Sequence, residues 1–106
     1  MTLEIETTEY FDKWLSKLKN TQAVRLIALR LLRLQQGHFG DAKSIGAGVS
    51  ELKINTGAGY RIYYTMKGEK LVLLLIGGDK SSQSRDIEKA QKLLQEYEKE
   101  GDDEND

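Results

Sequence analysis

The chain has no cysteine and no proline among its 106 residues, and it has a single histidine, His38. Without cysteine it can form neither a disulfide framework nor a thiolate metal site, and one histidine cannot build a histidine-based metal centre. The longest apolar run, Leu71 to Ile76, is too short to span a membrane. The first residues lack the basic and apolar segments of a signal peptide, so a cytoplasmic location is the default expectation.

The charges are unevenly distributed, although the formal net charge is only −1. Residues 1–12 carry four acids and no base, residues 13–92 carry fifteen Lys or Arg against six Asp or Glu, and residues 93–106 carry seven acids against Lys99. The basic middle can attract nucleic acid or an acidic partner, although a mixed solvated surface fits it equally well. The length predicts one domain over 1–99, and the acidic end predicts a disordered tail over 100–106.

Hydrophobic periodicity predicts the order strand, helix, helix, strand, strand, strand, helix. The predicted elements are a strand over 2–6, a helix capped by Thr7 or Thr8, a helix at about Gln22–Gln36, strands at about Val49–Asn55, Gly59–Met66 and Lys70–Gly77, and a helix at about Ser82–Lys99. Residues 38–48 are predicted to be a loop, and the doubly apolar run 71–76 to be the central strand. We therefore expect an α+β fold, in which an N-terminal strand and a helical hairpin pack on an antiparallel β-meander with a C-terminal helix.

Two cations are predicted to lie side by side on this sheet. A tight hairpin centred on Gly57 pairs Lys53 with Arg61, and cross-strand partners point to the same face. Like charges held so close repel each other, so a fold has little reason to place them together unless an anion binds there. The simplest such anion is a phosphate.

Several motifs resemble the RelE/ParE superfamily of bacterial toxins, and most closely its phage-derived HigB-like "addiction module killer" branch. The matching segments are TTEYFDKWLSKLK at 7–19, RLLRLQQGHFGDAKSIGAGVSELKI at 30–54, GAGYRIYY at 57–64 and LLLIGGDKSSQSRDIEKA at 73–90. The pattern GxGYRxYY followed by GGDKxxQxxDI is specific to this group. The resemblance covers about residues 3–97.

The resemblance implies the toxin of a type II toxin–antitoxin pair, without metal or organic cofactor and without a membrane role. Many RelE-like proteins cleave mRNA in the ribosomal A site, so a ribosome-dependent, metal-independent mRNA endonuclease acting on ribosome-bound mRNA is the first expectation. The alternative is a non-catalytic inhibitor of DNA gyrase, as in the ParE type. The implied partner is a small helix-turn-helix antitoxin of the HigA kind.

The resemblance assigns catalytic roles to Arg61, Lys53 and Lys80. Arg61 matches the family's catalytic arginine, Lys53 a basic residue of the preceding strand, and Lys80 the lysine of the GGDK motif. Metal-free RNA cleavage needs a base for the 2′-OH, cations for the phosphorane-like transition state and an acid for the leaving 5′-oxygen. Each residue also has an ordinary interpretation: Arg61 can balance Glu51 across the hairpin, and the two lysines can be plain surface residues.

Five further residues are expected to contact RNA. Tyr63 shares the face of Arg61 and can stack on a base, unless it packs in the core. Arg85 begins the last helix and can reach the same pocket or lie at the surface. The remaining three lie on one side of the second helix, where they contact ribosomal RNA phosphates or form an ordinary exposed face: Arg25, Arg30 and Arg33.

Two positions depart from the family pattern. RelE-like enzymes often carry an arginine just after the lysine, and a tyrosine or histidine near the C-terminal end. This chain has Ser81 and Ile87 at those positions, and it has no histidine after His38. Slow or atypical catalysis is therefore expected, and the identity of the general base and acid stays open, with Glu51 as a weak candidate for the base.

Overall fold

A computed structural model describes the backbone of residues 2–104 and the side chains of residues 2–100. The elements are β1 (Glu4–Thr7), α1 (Glu9–Lys17), α2 (Thr21–Gln35), β2 (Ala42–Gly46), β3 (Val49–Ile54), β4 (Tyr60–Lys67), β5 (Leu71–Gly78), a 3-10 helix (Lys80–Ser82) and α3 (Gln83–Glu104). The predicted α+β class is confirmed.

The strands form one five-stranded sheet in the order β1-β5-β4-β3-β2. The three predicted strands form an antiparallel meander, and β1 joins it by pairing parallel with β5. Two expectations were wrong. Residues 42–46 form the edge strand β2 instead of a loop, and the central strand is β4, not β5. The run 71–76 is apolar on both faces because helices cover both faces of β5, not because β5 lies at the centre.

Each face of the sheet has its own hydrophobic cluster. Successive side chains of a strand point to opposite faces, so Ile62 and Tyr64 of β4 lie in one cluster and Tyr63 in the other. The first cluster includes Phe11 of α1 and Leu34 of α2. The second is formed with α3, through Ala90, Leu93 and Leu94. The sheet is therefore held between the helical pair on one face and α3 on the other.

Thr8 links α1 to the sheet. Its backbone is extended, and its hydroxyl accepts a hydrogen bond from the Phe11 N–H at 3.1 Å. The same hydroxyl donates to the Leu75 carbonyl at 2.6 Å, and the residue is buried. One side chain thus caps the helix and satisfies a buried carbonyl of β5.

Replacing Thr8 by valine is expected to destabilise the protein by about 2 kcal/mol, because the cap is lost and the Leu75 carbonyl loses a partner. The measurement is urea unfolding followed by circular dichroism. Thr8→Ser keeps the hydroxyl and is the matched control. Equal stability of the valine and serine variants would contradict this role.

Two adjacent glycines allow helices to approach β5 closely from opposite faces. A Cβ at Gly77 would lie 2.3 Å from the Trp14 ring of α1, and a Cβ at Gly78 would overlap the Asp86 carboxylate of α3. The Trp14 ring in turn packs against Phe11 and Tyr60, with centroid separations of 5.7 and 6.1 Å. The GG pair is thus required by the packing at the end of the strand.

The last helix is longer than the sequence indicated. It continues to Glu104, through residues 101–104 that were assigned to a disordered tail. Extending an existing helix fixes only one residue per hydrogen bond. The helix can therefore continue into polar residues beyond the part that packs on the sheet. Residues 105 and 106 of the expected tail lie outside the described residues. No helix in the described part of the chain is long and apolar enough to cross a membrane.

Candidate active site

The register of β3 and β4 places Lys53 opposite Arg61, which confirms the predicted pair. One step along the same face Glu51 lies opposite Tyr63, and β2 adds Lys43 opposite Glu51. A cavity of about 170 Å³ opens here. Its lining residues are Asp41, Lys43, Glu51, Lys53, Arg61 and Gln83. Three cations and two carboxylates give this cavity a formal net charge of +1, which favours an anionic ligand.

Arg61 is held at one wall of the cavity with its side chain 11% exposed. Its Nη1 donates to the Gly59 carbonyl at 2.7 Å, and its Nε lies 3.6 Å from Glu51 Oε1. That Nε is buried and has no hydrogen-bond partner among the described residues. The guanidinium is therefore anchored by one bond and one ion pair, which keeps its planar fork beside the cavity.

Glu51 lies between Arg61 and Gln83 and contacts both. Its side chain is only 3% exposed, and its second oxygen, Oε2, accepts a hydrogen bond from Gln83 Nε2 at 2.9 Å. Gln83 is the first residue of α3, so the helix start is tied to β3 through Glu51. The sequence alone placed Glu51 on the correct face, but nothing in it indicated Gln83, which lies 32 residues away.

The interpretation of Tyr63 as an RNA contact is not compatible with its position. The residue is 0% exposed, because α3 covers this part of the sheet and the ring packs in the second cluster. Its hydroxyl has no hydrogen-bond partner among the described residues. Burial first, and then the charge of Glu51, raise the pKa of Tyr63 far above the usual tyrosine value. The hydroxyl therefore stays protonated, and the ring is unavailable for stacking.

Tyr63→Phe is expected to change the free energy of unfolding by less than about 1 kcal/mol, because a buried hydroxyl without a partner contributes little. Urea unfolding followed by circular dichroism measures the effect. Tyr63→Ala, which empties part of the core, should be clearly less stable. A large loss of stability in the phenylalanine variant would show that the hydroxyl does have a partner.

Lys80 lies next to Arg61 but outside the lining of the 170 Å³ cavity. A Cβ added at Gly59 would lie 3.3 Å from both Arg61 Nη1 and Lys80 Cβ, so the two side chains flank this glycine. The Lys80 N–H donates to the Ala58 carbonyl at 3.2 Å, which ties the turn after β5 to the β3–β4 hairpin. Asp79 precedes Lys80 in the chain. It caps the 3-10 helix by accepting from Ser81, whose hydroxyl lowers the pKa of this carboxyl.

Of the predicted RNA contacts, Arg30 and Arg33 of α2 lie beside the cavity of Arg61, whereas Arg25 and Arg85 do not. Arg30 and Arg33 line a cavity of about 270 Å³ that shares Lys53 and Asp41 with the first one. Arg30 donates to the Phe39 carbonyl at 3.1 Å and to the Lys53 carbonyl at 3.4 Å. Arg25 is exposed on α2, and Arg85 lines a separate groove between α1 and α3 instead of the pocket of Arg61.

Most cations of the protein are not neutralised by neighbouring carboxylates. Within residues 2–100, the ion pair between Arg61 and Glu51 is the only one with a nitrogen–oxygen distance of 4.0 Å or less. The same residues contain no group of three His, Cys, Asp or Glu arranged to hold a metal ion. The unpaired cations leave a surface that is suited to phosphate contacts.

Comparisons with known proteins agree with this geometry at the level of the fold. The chain is similar to the E. coli RelBE toxin–antitoxin complex, with 21% identity over 73% of this chain and 95% of that chain and a TM-score of 0.60. It is also similar to the RelBE2 toxin–antitoxin complex of Mycobacterium tuberculosis, with 18% identity over 76% of this chain and all of that chain, and a TM-score of 0.61. The fold implied by the resemblance to the RelE/ParE superfamily is thereby confirmed.

Sequence comparison extends the agreement to the family. An uncharacterized protein of Haemophilus influenzae is 53% identical over 96 residues, which cover 91% of this chain and 97% of that protein. The sequence model of the family described as phage derived protein Gp49-like matches residues 13–98. The chain therefore belongs to the phage-derived Gp49-like family and has the fold of the RelE toxins.

Proposed function

We propose that this protein is the toxin of a toxin–antitoxin pair and cleaves mRNA on the ribosome without a metal ion. The observation that carries the proposal is the cross-strand pair of Lys53 and Arg61 at a small, open, positively charged cavity. Lys80 flanks Arg61, and Arg30 and Arg33 extend the basic surface along α2. This arrangement supports binding of a phosphate and of the chain to which it belongs.

The cavity offers the parts that RNA cleavage needs. Attack of a 2′-OH on the adjacent phosphate forms a new P–O bond and breaks the bond to the 5′-oxygen, which leaves a 2′,3′-cyclic phosphate and a 5′-OH. Arg61 is placed to stabilise the extra negative charge of the transition state. The 2′-OH gives its proton to Glu51, or to Lys53 in the form of the free amine, and Lys80 protonates the leaving oxygen. All four of these residues lie in or beside the cavity.

The proposed partners follow from the same function. Both solved relatives are complexes of a toxin with an antitoxin. We propose a cognate antitoxin for this chain, of the HigA-like helix-turn-helix kind, and a cytoplasmic location where ribosomes and mRNA are present. Copurification of the tagged protein with the product of a neighbouring helix-turn-helix gene tests this partner.

Inhibition of DNA gyrase is the second candidate function. It is favoured by the ion pair that engages Arg61 with Glu51, and by Ser81 and Ile87 at positions where related enzymes carry further catalytic groups. A gyrase inhibitor would arrest growth with intact mRNA.

A reconstituted translation reaction with one defined mRNA separates the two functions. Primer extension detects cleavage, and a supercoiling assay with purified gyrase runs in parallel. The endonuclease proposal predicts cuts within translated codons and unaffected supercoiling. Intact mRNA together with inhibited gyrase would overturn it. Omitting ribosomes from a third reaction shows whether free RNA is also cut.

A further inference from the structure

A second basic cavity lies between α1 and α3, beyond the end of β5. It has a volume of about 370 Å³, and its lining includes Lys13, Lys17, Lys89, Trp14 and Tyr10. A neighbouring groove of about 420 Å³ shares Tyr10 and Lys89 with it and continues along α3. We call the two together the α1–α3 crevice. None of the roles assigned to the candidate active site uses it.

Three lysines of the crevice lie close together, and none of them forms an ion pair with a described acid. Lys13 and Lys17 are four residues apart on α1, so they lie on one face and repel each other. Lys89 faces them from α3, with its Nζ 5.2 Å from the centre of the Tyr10 ring. In the described part of the chain, none of these lysines has a carboxylate oxygen within 4.0 Å.

Four acids also line the crevice. Glu88 and Glu96 lie in the groove along α3, together with the cations Arg85 and Lys92, and the other two are engaged by the turn that starts α3. Asp79 accepts hydrogen bonds from the backbone and hydroxyl of Ser81. Asp86 accepts from the Ser82 hydroxyl. Their lone pairs are thus partly used by the turn that starts α3, while the lysine ammonium groups remain available to an anionic ligand.

The crevice meets the candidate active site at the end of β5. Gly78 lines the crevice and is the cross-strand partner of Arg61. Lys80, two residues further along the chain, lies beside Arg61 at Gly59. The short 3-10 helix Lys80–Ser82 thus lies next to both sites, and a strand of nucleic acid with one phosphate at Arg61 would pass over Lys80 to reach the crevice.

We propose that the α1–α3 crevice binds the stretch of single-stranded RNA that adjoins the nucleotide cleaved at Arg61. This rests on the proposed function. The lysines contact phosphates, and the half-buried rings of Trp14 and Tyr10 offer faces on which bases stack. An acidic peptide is less favoured, because it would use the charge of the crevice but neither its aromatic rings nor its position beside Lys80 and Arg61.

The test measures binding, so it does not depend on cleavage. The probes are fluorescein-labelled 2′-O-methyl RNA oligonucleotides of four and twelve nucleotides, which lack the attacking hydroxyl. Anisotropy gives affinity at several salt concentrations. Trp14 is the only tryptophan of the chain, so its fluorescence reports directly on occupancy of the crevice.

The crevice variant is Lys13→Gln/Lys17→Gln/Lys89→Gln, and the matched control removes three exposed lysines elsewhere, Lys67, Lys70 and Lys99. The crevice variant is expected to bind the twelve-nucleotide probe at least about tenfold more weakly, with the log–log salt slope reduced by about 2 for three lost phosphate contacts. Quenching of Trp14 by the long probe should be lost as well. The four-nucleotide probe and the control variant should bind as before.

Three results would overturn the proposal: equal weakening in the control, unchanged binding in the crevice variant, or competition for the crevice by a decaglutamate peptide but not by RNA. If the wild-type protein cleaves mRNA while the crevice variant binds the long probe normally, the crevice proposal fails and the proposed function stands. If the wild-type protein neither binds the probes nor cleaves mRNA, both fail together. Thermal melts followed by circular dichroism verify that the variants are folded.

Discussion

For the proposed mRNA endonuclease, replacing Arg61 by alanine is expected to lower the rate of cleavage by a factor of about 100 or more, the usual effect of removing one group that stabilises transition-state charge. The guanidinium lies at the wall of the cavity, anchored by the Gly59 carbonyl and paired with Glu51. Its loss leaves no arginine in that lining. Initial rates of cleavage in the reconstituted translation reaction give the effect directly.

This substitution also leaves Glu51 buried without its cation, so a loss of activity needs a folding control. Burying an unpaired charge is costly, and Arg61→Ala is expected to be less stable than the wild type. The double variant Arg61→Ala/Glu51→Gln removes that charge and should recover stability without recovering cleavage. Arg25→Ala removes an exposed arginine of α2 and is the matched control for activity. Full cleavage by a folded Arg61→Ala variant would show that the reaction occurs elsewhere.

Replacing Gly77 by alanine is expected to destabilise the protein by about 2 to 3 kcal/mol, near the upper end for an overpacked core. The added Cβ would lie 2.3 Å from the Trp14 ring, which Phe11 and Tyr60 hold in place. Either α1 or the end of β5 must shift to make room. Urea unfolding followed by circular dichroism measures the loss.

A double-mutant cycle tests the cause of that loss. If the clash with the indole is responsible, Gly77→Ala should cost much less in a Trp14→Leu background, where the ring is absent. Gly57→Ala is the matched control, because nothing lies within 4 Å of a Cβ added there. Strictly additive effects of the Gly77 and Trp14 substitutions would contradict the packing argument.

The pair of Lys53 and Arg61 could be predicted because it depends only on local rules. The Gly57 turn fixes the register of the hairpin, and the two-residue period of a strand fixes the face. These rules do not predict whether a side chain is exposed, as Tyr63 shows. Alternation placed it correctly on the face of Arg61, but the position at which α3 covers that face decides whether a side chain is exposed.

The contact of Gln83 with Glu51 could not be found from the sequence for the same reason. It forms only when the first turn of α3 docks over β3, and that docking is set by the second hydrophobic cluster. Strand β2 was missed because it is only five residues long, ends at a glycine and pairs with β3 through an irregular register. Short edge strands of this kind carry little hydrophobic signal of their own.

The α1–α3 crevice could likewise not be predicted from the sequence. Most of the chain separates Lys89 from Lys13 and Lys17, and these lysines meet only because α1 and α3 pack near the same end of β5. The glycines at 77 and 78 permit that approach. Sequence patterns thus predicted the cross-strand cations. The position of the crevice next to them depends on how the helices pack and could not be predicted.

The most direct test of the central claim is a map of new RNA 5′ ends across the transcriptome of a bacterial host after brief induction of the protein. Arg61→Ala, verified as folded, serves as the control. Cleavage at the Arg61 site predicts new 5′ ends inside translated codons that disappear in the control. Growth arrest with intact mRNA, or the same cuts in the Arg61→Ala control, would contradict it.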